Sequence, residues 1–440
     1  MLTSITLKNF KSYREASLPL APLTVLIGAN ASGKSNAIEG LRLLAWLAQG
    51  HRLSSIQYAV QDSEKVIRGR VQDLGYHEEK VISLGCGSDL ADWDSLSLSL
   101  ELRGGELHIV DELVAGPGTT VPLYHLDQPS QGNGTDVRVA YNNFARGGIK
   151  PHLTASDQFA VFTQLESAAR FEKGHQKAQR VIPDVTGLYR RWLENVLFLD
   201  PVPVRMRDYS FPHEKRLLGD GSNLSSILYG LWGGNKVECS DAEQANRTAI
   251  LGLIQSLPEQ DIHGLGFIEG PRGEVMVNLV ESFGAENRKY DASLLSDGTL
   301  RVLAIAAAML SAEEESLVVI EEIDNGVHPS RAHHLLERIR EIAERRFLRV
   351  LLSTHNPALL DALPDRALPD VVFCYRHPED GSSRLIRLES LEDYPELLAQ
   401  DSLGRLMTTG MLERFVKSPR GGEERRRRAM EWLAQARASA

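Results

Sequence analysis

The stretch Leu23-Thr24-Val25-Leu26-Ile27-Gly28-Ala29-Asn30-Ala31-Ser32-Gly33-Lys34-Ser35 decides the fold. Its first five residues are apolar and β-prone enough to form a buried central strand. The next eight satisfy Gly-x-x-x-x-Gly-Lys-Ser, and Ala37, Ile38, Leu41, Leu44, Ala45 and Ala48 follow at helical spacing. Strand, glycine loop and helix in that order make a phosphate-binding loop. Gly28 and Gly33 let backbone N–H groups curl round phosphate oxygens, and the helix N-terminus adds its dipole. Lys34 brings a point charge to the β- and γ-phosphates, and the Ser35 hydroxyl suits Mg²⁺. The expected cofactors are therefore ATP and Mg²⁺. Guanine is disfavoured, because Asn235-Lys236-Val237-Glu238 ends in glutamate where an aspartate reads that base.

Working outward, Ile5, Leu7, Leu18 and Leu20 alternate like β-structure ahead of the loop. Far downstream, Leu317-Val318-Val319-Ile320 and Val350-Leu351-Leu352-Ser353 read as buried strands. The helix between them starts at Pro329, with Leu335, Leu336, Ile339, Ile342 and Ala343 as its inner face, so residues 317–354 form one β-α-β unit. Glu321 and Glu322 follow the first of these strands at the sheet edge where a phosphate-loop protein needs carboxylates. One is expected to hold Mg²⁺ (Glu321) and the other to orient the attacking water (Glu322). His355 follows the second strand, placed to hydrogen-bond the γ-phosphate or the water.

The chain has 440 residues, 49 basic and 59 acidic, for a net charge of −10. This excludes a uniformly basic nucleic-acid protein but not a local basic groove. Arg425 to Arg428, with Arg414, Lys417 and Arg420 nearby, form the strongest basic cluster, and Arg205 and Arg207 are comparable candidates for phosphate-backbone contact. A solvated helix face is the plainer alternative for the arginine run. Cys86, Cys239 and Cys374 are far apart and outside any Cys-x-x-Cys spacing, which argues against a disulfide framework or zinc site and for a cytoplasmic protein. No stretch approaches the length of a membrane span, and the N-terminus has no secretory pattern.

Organisation follows from where the motifs fall. Residues 1–50 carry the first part of an α/β nucleotide-binding head. Residues 51–290 are expected to form an inserted, largely helical lobe with further head strands such as Leu96 to Leu102, and with helical stretches at Phe159 to Lys177 and Gly187 to Val196. Residues 291–362 complete the head, and 363–440 are a tail with strands at Val371 to Tyr375 and Arg384 to Leu388.

The order of phosphate loop, Leu295-Ser296-Asp297-Gly298-Thr299, strand-Glu-Glu and strand-His resembles the ABC-type ATPase heads, and within them the SMC/RecF/OLD-like branch. The blocks Ile5 to Tyr13, Ile320 to Pro329 and Ser353 to Pro357, with Asn30 and Asn36 flanking the loop, carry that resemblance. It implies a P-loop NTPase fold of ABC/SMC-head type with a β-rich N-terminal part. It implies nucleotide binding by Lys11, Gly28, Asn30, Ser32, Gly33, Lys34, Ser35 and Asn36, and metal binding by Ser35 and Glu321. By analogy Asp200 couples to the metal, although a turn before two prolines is the plainer explanation. The resemblance further implies a signature loop in which Ser296 and Gly298 contact the γ-phosphate of ATP on the other subunit. A homodimer then sandwiches two ATPs, with Asp324 to His328 crossing the interface. Asp297 stands where ABC transporters have glycine, and Glu321 where they have aspartate; both variants occur in the OLD-like branch.

Nucleases of the OLD family carry a Toprim domain after the histidine motif. Residues 356–440 contain no acidic Asp-x-Asp cluster, so no nuclease site is expected in this chain. The leading functional expectation is an ATP-driven dimeric switch acting on DNA, RNA or a separately encoded effector, a nuclease or toxin, in bacterial anti-phage defence. The alternative is a DNA repair or recombination ATPase of RecF type. An ABC-transporter subunit and a non-hydrolysing scaffold are further alternatives.

Overall fold

The computed structural model describes residues 1–61, 64–132, 134–236, 238–255, 261–283, 286–324, 329–391 and 394–417. An N-terminal hairpin, β1 (Leu2–Phe10) and β2 (Tyr13–Pro19), leads into β3 (Thr24–Ile27) and helix α1 (Lys34–Ala48). A short pair, β4 (Val60–Gln61) and β5 (Glu64–Lys65), precedes six strands: β6 (Val81–Ser88), β7 (Ser95–Arg103), β8 (Glu106–Ala115), β9 (Tyr124–Gln128), β10 (Asp136–Tyr141) and β11 (His152–Ser156). Then come α2 (Gln176–Glu194), β12 (Leu197–Leu199), α3 (Pro203–Met206), α4 (Leu224–Trp232), α5 (Asp241–Ile254) and the three-stranded sheet β13 (Ile262–Glu269), β14 (Val275–Phe283), β15 (Glu286–Asp291). The chain continues through α6 (Asp297–Ser311), β16 (Leu317–Ile320), α7 (Pro329–Arg345), β17 (Arg349–Thr354), α8 (Pro357–Asp361), β18 (Val371–Arg376) and β19 (Ser383–Arg387), and ends its described part in α9 (Tyr394–Gln400), α10 (Leu403–Thr408) and α11 (Met411–Lys417).

The central sheet has the order β12-β16-β17-β3-β18-β19, parallel except for the last pair. A parallel sheet covered on both faces must be apolar on both, and each strand here feeds two cores by alternation. Val25 and Ile27 of β3 face the core shared with α4 to α7. Leu26 between them faces the core shared with α1, α2 and the large sheet. Val318 and Ile320 against Val319, and Val350 and Leu352 against Leu351, repeat the pattern. All these side chains are at most 1% exposed.

The second sheet is antiparallel, in the order β11-β10-β9-β8-β7-β6-β1-β2. Residues 51–290 therefore do not stand apart. Strands β6 to β11 extend the β1–β2 hairpin, while α4 and α5 pack against α6 and carry β13 and β14 on their other side. The interval is richer in strand than the expected largely helical lobe, because Leu96, Leu98 and Leu100 alternate with serines and bury one face only. The helix expected at 159–177 is instead two 3₁₀ turns, Val161–Gln164 and Ala168–Arg170, with α2 beginning at Gln176. The Glu112 carboxylate accepts the Val161 and Phe162 N–H groups, and the Gln164 side chain is spent on Ser156 and Phe159, which anchors the first turn in place of a continuing helix. The β-α-β unit of residues 317–354 and the β18–β19 hairpin lie where the sequence places them.

Candidate functional site

The loop after β3 is built for a tight fit. Gly28 has φ +150°, and a Cβ there would lie 2.2 Å from the Cys374 carbonyl oxygen; Gly33 has φ +122°, and its Cβ would meet Ser383 Oγ at 2.3 Å. Only glycine avoids both the strain and the collision. The loop is held from behind by residues remote in sequence. Tyr13 donates its hydroxyl to the Gly33 carbonyl at 3.0 Å, Cys374 its thiol to the Ser32 carbonyl at 3.4 Å, and Arg376 Nε its proton to the Ala31 carbonyl at 3.1 Å. Asn36 donates to Ser12 Oγ at 2.8 Å, and Ser383 Oγ donates to the Ser32 carbonyl. None of Cys374, Arg376 or Ser383 carries a motif signal; the β18–β19 hairpin brings them in. No side chain caps α1, so its N-terminal amides face the loop's interior.

Lys34 Nζ donates to the Gly28 carbonyl at 2.6 Å and the Ala29 carbonyl at 3.1 Å. Burial pulls the Lys34 ammonium below the usual lysine range, opposed by the charge fields of Cys374, Glu322 and Asp324. Ser32 is 4% exposed, and its Oγ has no hydrogen-bond partner among the described residues. An orphaned hydroxyl inside a ring of amides is what an incoming phosphate oxygen satisfies.

Four strand ends line up along the carboxyl edge of the parallel sheet. Asp200 follows β12, Glu321 and Glu322 follow β16, Thr354 and His355 close β17, and the glycine loop follows β3. Together with Arg68 and Arg376 they enclose a cavity of about 530 Å³. This is the crevice position expected for a ligand in an open parallel sheet. Of the residues expected to bind nucleotide, Asn30, Ser32, Gly33, Lys34, Ser35 and Asn36 line it, and Gly28 stands behind them at the end of β3. Lys11 does not: its ammonium pairs with Glu39 and donates to the Arg68 carbonyl at 2.9 Å, placing Arg68 on the cavity wall.

The carboxylates are individually supported. Glu321 Oε1 accepts from Arg42 Nη2 at 3.0 Å, and the Arg42 guanidinium lies 4.6 Å from the centre of the Phe198 ring. Glu322 sits at φ +47°, a left-handed conformation costly for a glutamate, with its N–H donating to Ser353 Oγ at 3.1 Å. Asp324 is 7% exposed; it accepts from Thr354 Oγ1 at 2.7 Å and lies 3.7 Å from His355 Nδ1. Of the expected interface segment Asp324 to His328, residues 325–328 lie outside the described residues. Ser35, Asp200 and Glu321 are an all-oxygen donor set on one cavity, which fits Mg²⁺, an ion that takes one or two carboxylates and completes its shell with water and phosphate oxygens. No three His, Cys, Asp or Glu side chains form a preassembled metal cage among the described residues.

Ser296 and Gly298 do not line this cavity within one chain. Ser296 caps α6, accepting the Thr299 N–H at 3.1 Å, and Gly298 lies in the first turn. Neither arginine proposed for nucleic-acid contact projects unpaired: Arg205 pairs with Asp220 at 2.6 Å and Arg207 with Asp297 at 2.7 Å. Arg425 to Arg428 lie outside the described residues.

Two family models match the two halves of this site. Residues 1–80 match an AAA ATPase domain, and residues 209–361 match the family described as AAA domain, putative AbiEii toxin, Type IV TA system. These matches support an ABC-type ATPase similar to the SMC/RecF/OLD-like branch. Among relatives of this ATPase, the OLD nuclease of Thermus scotoductus is 22% identical over 403 residues, 87% of this chain and 66% of that protein. The RecF DNA replication and repair protein of a Picosynechococcus strain is 25% identical over 377 residues, 80% of this chain and 90% of RecF. The RecF of Gloeobacter violaceus is 40% identical over 72 residues, a match spanning only 17% of that protein. A solved SMC head bound to the C-terminal winged-helix domain of ScpA is 14% identical with a TM-score of 0.46, covering 90% of this chain and 99% of that one.

Proposed function

We propose that this chain binds ATP with Mg²⁺, hydrolyses it, and acts as a homodimeric switch whose closed form carries two ATPs between paired heads. The observation that carries this is the single cavity uniting the Lys34 loop, with its orphaned Ser32 hydroxyl, and the Glu322 and His355 edge. The loop amides and Lys34 bind the phosphates. Glu322, held in its strained conformation by Ser353, orients a water and takes its proton as the water oxygen bonds to the γ-phosphorus and the bond to the bridging oxygen of ADP breaks. His355, steadied by Asp324, hydrogen-bonds the transferring phosphoryl oxygens. Ser35, Glu321 and Asp200 would hold Mg²⁺, which neutralises phosphate charge. Ser296 and Gly298 serve the γ-phosphate of the partner's nucleotide. The free cysteines Cys86, Cys239 and Cys374 support work in the reducing cytoplasm.

Two biological settings remain in competition. The match to a family described as a putative toxin of a type IV system, and to an OLD nuclease over 87% of the chain, favours anti-phage defence with a separately encoded nuclease or toxin as effector. The match to RecF over 80% of the chain favours DNA repair. Deleting the gene and scoring phage plaquing against survival of DNA damage separates them. For the chemistry, Lys34→Ala should abolish nucleotide binding. Glu322→Gln should bind ATP normally but release phosphate about 10²–10⁴-fold more slowly in single-turnover assays. Unchanged phosphate release in Glu322→Gln would overturn the catalytic assignment of Glu322, and no release by the wild type would leave the chain a non-hydrolysing scaffold.

A further inference from the structure

Asp297 occupies the first position of α6, between Ser296 and Gly298. A carboxylate is welcome at a helix N-terminus because the dipole there is positive, and for the same reason it competes with any phosphate that approaches. Left alone, Asp297 would repel a γ-phosphate from the two groups assigned to hold it. Arg207 answers this conflict. Its Nη2 donates to Asp297 Oδ1 at 2.7 Å and to the Leu295 carbonyl at 3.0 Å, so one guanidinium cancels the charge and pins the backbone immediately before Ser296. The pair is not a plausible source of stability, since the Asp297 side chain is 68% exposed and such pairs contribute little to folding.

The placement of Arg207 is imposed from elsewhere. Its stretch starts at Asp200 on the nucleotide cavity, where the Asp200 N–H donates to the Gly219 carbonyl at 2.9 Å. Met206, next to Arg207, is 1% exposed in the core shared with α6. Ser210 is bridged to Val275 of β14 through backbone hydrogen bonds of 3.0 and 2.8 Å. Arg207 is thus delivered to the signature loop by a packed segment that begins in the chain's own nucleotide site.

We infer that Arg207 is a positioning residue of the signature loop, neutralising Asp297 so that Ser296 and Gly298 can take the γ-phosphate of nucleotide on a second copy. The inference rests on the dimeric reading above. Its test is a double-mutant cycle of wild type, R207A, D297N and R207A/D297N. Self-association is measured by sedimentation velocity with Mg²⁺ and a non-hydrolysable ATP analogue, and nucleotide affinity on the monomer by titration. R207A should weaken nucleotide-dependent association about tenfold or more while the monomer binds nucleotide as before. D297N should associate like wild type, and the double variant should recover to within about threefold of it. R207K, which keeps the charge without the planar fork, should retain most of the association and R207E should lose it, a comparison that stands if R207A does not fold. Wild-type association in R207A or R207E, or a double variant no better than R207A, overturns the role of Arg207 alone. A wild-type chain that binds the analogue yet never self-associates overturns the dimeric reading and this inference together.

Discussion

Arg42 and Glu321, 279 residues apart, meet at 3.0 Å beside the nucleotide cavity. Arg42 is the more enclosed partner, its side chain 4% exposed against 14% for Glu321. A buried guanidinium on α1 demands an anion, and the carboxylate that answers it also lines the cavity. Removing one partner of a buried pair costs far more than the pair contributes, because the other is left as an uncompensated charge. Arg42→Met should therefore behave better than Glu321→Ala. In Arg42→Met, Glu321 stays partly hydrated and the loss should be about 1–3 kcal/mol in urea unfolding. Glu321→Ala takes the carboxylate from the more enclosed partner and should lose about 3–5 kcal/mol. The double variant completes the cycle: a loss equal to the sum of the two single losses would show that the pair contributes no charge coupling.

Gly28 and Gly33 differ in what blocks a side chain. At Gly28 the obstacle is the Cys374 backbone carbonyl, at Gly33 the Ser383 side chain, its Cβ as well as its Oγ. Gly28→Ala must displace the β18 backbone or the loop, and should cost about 3 kcal/mol or more. Gly33→Ala must shift the Ser383 side chain from its Cβ outward and hold alanine at φ +122°, and should cost about 2–3 kcal/mol, only a little less in a Ser383→Ala background. Chemical denaturation of the four proteins decides the ranking.

Ser353 is expected to matter to catalysis more than to folding. Its Oγ accepts the Glu322 N–H at 3.1 Å and so helps to hold that residue at φ +47°. Ser353→Ala frees Glu322 to relax from the left-handed region. Steady-state kinetics should show kcat lowered about tenfold with KM nearly unchanged, and stability reduced by only about 1 kcal/mol. A raised KM at normal kcat would contradict this assignment.

Glu112 gives the fold a pH dependence of its own. Its carboxyl is fully buried on β8 and accepts from Tyr124 Oη at 2.7 Å, Val161 N at 2.7 Å and Phe162 N at 2.6 Å. Burial pushes its pKa from 4.5 up to about 7, against the downward pull of those three donors. Because the folded value lies above the unfolded one, the associated stability is fully present below about pH 4.5 and is lost as the pH rises through about 7. Unfolding free energies measured between about pH 5 and 8 should fall by up to about 3 kcal/mol, and Glu112→Gln should flatten that slope. An unchanged slope in the variant would place the titration elsewhere.

Contiguous sequence made much of the site legible. The β3 strand, glycine loop and α1 are one uninterrupted segment, and Glu321, Glu322 and His355 each close an apolar run that can only be a buried strand. Where the sequence misled, side chains spent on distant partners were responsible. Lys11 turned from the cavity to Glu39, and Arg205 and Arg207 pair with Asp220 and Asp297. The turn at Val161–Gln164 likewise follows from a Glu112 carboxylate 49 residues earlier, which no local periodicity reveals.

The sequence by itself determined which residues stand at the spacings that phosphate, metal and water chemistry require, because those demands are set by residue type at short fixed spacing. Only the tertiary structure decided what holds them there. The order β12-β16-β17-β3-β18-β19 sets Asp200, the glutamates, His355 and the loop along one edge, and puts Cys374 and Ser383 behind Gly28 and Gly33. The pairs Arg42 with Glu321 and Arg207 with Asp297 follow from that same packing. They join charges 279 and 90 residues apart, and an ion pair depends on distance in space, which spacing along the chain does not encode.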